Sequence, residues 1–217
     1  MSIQESYRAL NGAVSQSFQE NLSANDAVEL LKSGHQRFSE NDTLNRSLPS
    51  LLTDAAEGQF PYAAVLGCID SRVPIEEIFD ATIGDLFVAR VAGNTVNPDI
   101  LGSLEYACKY AGSKAILVLG HTSCGAIKGA WAGLEDGNLT GLLNQLKPAV
   151  ETVRATRSNE ASSVNIDETV SINAQMVCDR IRQESDILYE MESNGAIAIV
   201  AGVYNVATGR ITFLEPS

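Results

Sequence analysis

The stretch Ala63-Ala64-Val65-Leu66-Gly67-Cys68-Ile69-Asp70-Ser71-Arg72 decides the reading of this chain. Its first half is a short apolar run of the kind that forms a strand buried on both faces. Its second half offers a thiol, a carboxylate and a guanidinium, and Pro74 then opens a helical pattern through Ile75, Ile78 and Phe79. A reactive cluster between a strand's carboxyl end and the next helix is where α/β sheets build their sites. The cluster is half of a site, with a soft metal ligand, an acceptor and a bidentate partner for that acceptor. The other half is expected at a second strand end. The apolar run 115–120 stops at His121-Thr122-Ser123-Cys124-Gly125, which brings the total to one histidine and two cysteines.

Working outward, runs at 86–91 and 196–204 read as further strands, and Ala207-Thr208-Gly209 turns the chain into a last strand at 211–214, antiparallel to the one before. Helical patterns alternate with these strands. Ser23 and Asp26 form a capping box for an amphipathic helix carrying Ala27, Leu30, Leu31, Gly34 and Phe38, with His35 off the apolar stripe and read as a solvated residue. Another helix starts at Pro98 and closes at Gly112, and one runs from Gly125 through Trp131. The segment 139–156 reads as a helix interrupted at Pro148, followed by a surface turn over 157–163. Val170, Ala174, Val177, Ile181, Leu188 and Met191 mark one long helix that Asn194-Gly195 stops. A short helix is expected after Pro49, and the first twenty residues read as a short helix that needs a partner surface. The fold class is therefore α/β: a mostly parallel central sheet of four strands plus an antiparallel C-terminal strand, helices on both faces, and an N-terminal helical arm. One domain over 1–217 is expected, with the arm at 1–58 and the core at 59–217.

Composition limits the function. At 217 residues and 45% hydrophobic the chain can bury a sizeable core, and a net charge of −12 with no Lys/Arg-rich run argues against a nucleic-acid surface. No stretch has the length of a membrane span and the start lacks the order of a secretory signal, so the expected location is cytoplasmic. The four cysteines are irregularly spaced and read as reduced thiols; Cys108 and Cys178 fall in helical patterns as apolar fillers. Cys68, His121 and Cys124 form a borderline-soft donor set that suits Zn²⁺, and three ligands leave one tetrahedral position open, as in catalytic sites. Spacing alone leaves two unrelated strand-end cysteines as an equal alternative. A phosphatase loop is excluded because no Arg follows either cysteine at the required distance.

At these residues the sequence resembles the β-class carbonic anhydrases of bacteria and plants. Cys68-Ile69-Asp70-Ser71-Arg72 and His121-Thr122-Ser123-Cys124-Gly125 match both family motifs, and the likeness runs from about Gln59 to the last strand. The resemblance implies reversible hydration of CO₂ to bicarbonate and a proton by zinc-bound hydroxide, with one Zn²⁺ per subunit held by Cys68, His121 and Cys124. It implies that Asp70 accepts a hydrogen bond from the metal's water and that Arg72 keeps Asp70 off the metal. It places Gln59, Phe87, Tyr106 and Gly125 at the substrate, Phe87 and Tyr106 as an apolar wall from the neighbouring subunit, and implies an obligate homodimer with assembly to homotetramers left open. Val65 stands where some members carry a Trp for an inhibitory bicarbonate pocket, although Arg90 keeps its place. Two alternatives stay open: a carbon disulfide or carbonyl sulfide hydrolase of the same fold, and a non-catalytic zinc-binding relative.

Overall fold

The computed structural model describes residues 2–10, 12–157 and 160–215. Its sheet has five strands: β1 (Ala63–Gly67), β2 (Leu86–Arg90), β3 (Ala115–His121), β4 (Ala198–Asn205) and β5 (Arg210–Leu214). They lie in the order β2-β1-β3-β4-β5; every neighbouring pair is parallel except the β4–β5 hairpin. Side chains alternate across the two central strands as the pleat requires. Ala63, Val65, Ala115, Leu117 and Leu119 enter one cluster with Leu30, Leu31, Ile75 and Ile78. Ala64, Leu66, Ile116 and Val118 enter another with Leu101, Leu104, Val177 and Ile181. Each fully buried aliphatic side chain contributes roughly 1.5–3 kcal/mol, so β1 and β3 hold the sheet together. β2, at the edge, is only half-buried.

On the first face lie α1 (Ile3–Arg8), α2 (Gln16–Glu20), α3 (Ala24–Glu40), α4 (Leu48–Ala55) and the single turn α5 (Ile75–Ile78). The N-terminal segment is thus two short helices rather than one, and the partner surface it needs is the core itself, into which Tyr7 is fully buried. The Ser23 capping box starts α3 as read. Gly34 lets α3 touch the end of α5, because a Cβ there would lie 2.0 Å from the Phe79 carbonyl. On the opposite face are α6 (Pro98–Glu105), whose last turn widens into a π-turn over Tyr106–Tyr110, and α10 (Ser163–Glu184) with α11 (Asp186–Ser193). Around the carboxyl end of the sheet stand α7 (Gly125–Ala132), α8 (Gly137–Asn144) and α9 (Lys147–Thr156).

Three expectations need correction. His35 is not solvated: it is 8% exposed, its Nδ1 faces the Ile78 carbonyl at 3.2 Å, and its Nε2 accepts from the Ile211 N–H at 2.9 Å. The end of α5 and the start of β5 close over a helix face that is polar in sequence. The long helix is two, because Ser185 leaves the helix, accepts from the Leu188 N–H and donates to Glu105 at 2.6 Å. The break before α9 falls at Gln145-Leu146, ahead of Pro148, which occupies the first turn of the new helix. The turn expected over 157–163 falls partly outside the described residues.

Candidate metal centre

In the order β2-β1-β3, the chain leaves β1 toward one side and β3 toward the other, so a crevice opens beyond their carboxyl ends. Cys68 follows β1, His121 ends β3, and Cys124 caps the start of α7. All three are buried, and their ligand atoms lie within 4.8 Å of one another. His121 is oriented by its neighbour: Nδ1 stands 3.0 Å from the Thr122 carbonyl, so that nitrogen carries the proton and Nε2 presents a lone pair. That Nε2 is buried with no hydrogen-bond partner among the described residues. A buried lone pair is costly when unmatched. Here it faces two sulfurs, and a soft divalent cation satisfies all three donors at once. The donor set fits zinc.

The sulfurs are electrostatically unequal. The hydrogen bond from Cys124, with help from the Gly93 amide and against the effect of burial, pulls the Cys68 thiol down to about 4. Its pairing with Cys68, together with burial, pushes Cys124 up. One proton is shared between them, and a bound cation releases it. Cys108 and Cys178 are pushed up to about 12 by burial, consistent with their reading as fillers. All four thiols are free.

Asp70 and Arg72 meet as their spacing suggested. Arg72 Nε donates to Oδ1 at 2.9 Å and an Nη to Oδ2 at 2.8 Å, and the Arg72 backbone N–H adds a bond at 3.0 Å. The guanidinium holds the Asp70 carboxyl well below the usual carboxylate range. Oδ2 lies 3.8 Å from His121 Nε2, beside the Cys68, His121 and Cys124 ligand atoms but outside that group.

The remaining predicted residues divide. Gly125 follows Cys124 with space around it. Phe87 and Tyr106 meet edge to face, 6.2 Å between centroids, in a cavity of about 730 Å³ along β2 and α6 that no metal ligand lines. Gln59 is exposed ahead of β1. Within one chain these three are not gathered at the ligands. Arg90 is a contributor that the sequence reading misplaced. Its Nε donates to the Cys68 carbonyl at 2.9 Å and an Nη to the Asp70 carbonyl at 2.7 Å, so it shapes the loop that carries ligand and carboxylate. The signal available was strand register: Arg90 pairs with Gly67, next to Cys68.

A family model described as carbonic anhydrase matches residues 63–211. This chain belongs to the β-class carbonic anhydrase family. It is 36% identical over 196 residues to carbonic anhydrase 2 of Mycobacterium tuberculosis, covering 85% of this chain and 89% of that one. In fold it resembles the β-carbonic anhydrase CafA of Aspergillus fumigatus (TM-score 0.72, 24% identity, 89% of this chain and 91% of that). It also resembles β-carbonic anhydrases of Sordaria macrospora described as tetrameric (TM-score 0.69, 24% identity, 93% and 98%). A carbonic anhydrase is a zinc lyase that interconverts carbon dioxide and bicarbonate, and the Cys/His/Cys cluster of this chain fits that chemistry. No helix among the described residues is long and apolar enough to cross a membrane.

Proposed function

We propose that this carbonic anhydrase holds one zinc ion per subunit through Cys68, His121 and Cys124, and that Asp70 and Arg72 are its catalytic pair. The observation that carries the assignment is the buried Nε2 of His121, without a hydrogen-bond partner among the described residues and facing two cysteine sulfurs, with the Asp70 carboxylate 3.8 Å away. Zinc bound there supplies Lewis-acid ionisation of water near neutral pH. Asp70, kept ionised by Arg72, accepts a hydrogen bond from the attacking water and so aims its lone pair at the carbon of CO₂. Arg72 grips both carboxylate oxygens, which would keep Asp70 from becoming a ligand of a bound zinc. Arg90 holds the backbone on which both steps depend. The released proton has no histidine relay in the chain, because both ring nitrogens of His35 are engaged; it leaves through water and buffer.

Gln59, Phe87, Tyr106 and Gly125 are assigned to the substrate pocket, Phe87 and Tyr106 reaching the ligands of a second copy in a homodimer. Two features support this reading: β2 is an edge strand, and the groove beside it carries Tyr106 at 54% exposure, on which the exposed Tyr110 ring stacks. We read the chain as one domain, arm 1–58 and core 59–217, working in the cytoplasm, where thiol ligands stay reduced. The test is elemental analysis of Cys68→Ser with a CO₂ hydration assay. Zinc and activity should both be lost or much reduced, and full zinc occupancy in the variant would overturn the ligand set.

A further inference from the structure

Helix α10 touches the loop that carries Cys124 and the turn after β2 that abuts Cys68 with polar side chains, and neither contact is needed to complete the helix or the sheet. Asn173 is 4% exposed, and its Nδ2 donates to the Gly93 carbonyl at 3.0 Å. Gly93 in turn donates its N–H to Cys68 Sγ at 3.4 Å. The residue sits at φ +70, and a Cβ there would lie 2.9 Å from Leu146, so position and conformation are both restricted to glycine. Less than two turns earlier on the helix, Asp167 Oδ1 accepts from the Ser123 N–H at 2.8 Å. Ser123 has φ 56, a left-handed conformation that costs a non-glycine residue about 1 kcal/mol or more, and it immediately precedes Cys124. Its carbonyl faces an Arg72 Nη at 3.4 Å. Thr169, between the two contacts, accepts from Trp131 Nε1 at 2.9 Å and ties α10 to the helix that Cys124 starts.

We propose that α10 positions both cysteine ligands from outside their loops: Asn173 acts on Cys68 through Gly93, and Asp167 acts on Cys124 through Ser123. This rests on the assignment of Cys68, His121 and Cys124 as zinc ligands. Asn173 and Asp167 are positioning residues that touch neither substrate nor metal. An N–H aimed at a thiolate withdraws charge from the sulfur and fixes its direction, so losing either support loosens the grip on the ion rather than only the fold.

Zinc release from the purified holoenzyme to a chromogenic chelator tests this. Asn173→Ala and Asp167→Ala should release zinc about 10- to 100-fold faster than wild type, the usual range for groups that orient metal ligands. Asp167→Asn keeps an acceptor oxygen and should release at the wild-type rate, as should Gln183→Ala on the exposed side of α10. Cobalt-substituted Asn173→Ala should show shifted d–d bands, which a merely structural contact would not produce. Should Asn173→Ala not fold, Asn173→Ser, too short to reach Gly93, takes its place with the same expected release. Folded variants at both positions that release zinc at the wild-type rate with unchanged cobalt bands would overturn the proposal. A wild-type protein that binds no zinc would strike the ligand assignment itself.

Discussion

Asp70 with Arg72, beyond the carboxyl end of β1, and Asp85 with Arg46, at the amino end of β2, are the same two side-chain types in opposite surroundings. Arg72 is 50% exposed and Asp70 19%, whereas Arg46 and Asp85 are 6% and 0%. Asp70 is held well below the usual carboxylate range by the guanidinium fork. Burial pushes Asp85 up, against the pull of Arg46, the Thr82 N–H and the Tyr7 hydroxyl. The Asp85 cluster is enclosed: Arg46 lies over the Tyr7 ring at 4.3 Å, and the Tyr7 hydroxyl donates to Asp85 at 2.8 Å, which fastens α1 to the sheet. The Asp70 pair leaves a carboxylate facing the crevice. A wet, gripped carboxylate is available for chemistry, whereas a buried one is committed to the fold.

The contrast breaks most visibly at Arg46. Arg46→Met strands a buried carboxylate and should cost about 3–5 kcal/mol, a fall in Tm on the order of 10 °C for a chain of this size. The fraction that remains folded should keep its zinc and its kcat/KM. A calorimetric Tm close to wild type would mean that the cluster is not what anchors the arm.

Arg72→Lys and Asp70→Asn should do the reverse. Each should lower kcat/KM for CO₂ hydration by about 10- to 100-fold, with zinc content and Tm unchanged. A lysine lacks the planar fork, and an amide can donate where the carboxylate only accepts. The double variant should be little worse than either single one, because residues that act as a unit are not additive. If the losses multiply at constant zinc content, the two residues act independently and the pair is no unit.

The smallest effect sharpens the structural side. Burial lowers the pKa of His35 in the folded state from its ordinary 6.5. Below that value the unfolded chain takes up a proton that the folded one resists, so stability is full above about pH 6.5 and is lost as pH falls further. His35→Gln, which keeps an acceptor for the Ile211 N–H, should give a Tm profile that falls less steeply between pH 7 and pH 5. Identical profiles would mean that His35 carries no such linkage.

The sheet was legible because its inner strands are apolar runs bounded by glycine, and runs of that kind have few alternatives. Helix breaks were less legible: Ser185 and Gln145 break helical patterns through caps and contacts that periodicity does not register. Phe87 and Tyr106 could be named but not located at a site, since one chain leaves them along the edge strand, away from the ligands.

By itself the sequence offered Cys68, His121 and Cys124 at two strand ends and the Asp70–Arg72 pair, for which two residues of spacing suffice; the pairing of β1 with β3 brings the three ligand atoms together. Only the tertiary structure decided the roles of His35, Arg46, Arg90, Asp167 and Asn173. Each makes its defining hydrogen bond to a residue more than a dozen positions away. Hydrophobic periodicity says which face of an element turns inward. It carries no information about which distant carbonyl, amide or carboxylate a polar side chain will meet there, because that depends on how the elements cross once packed.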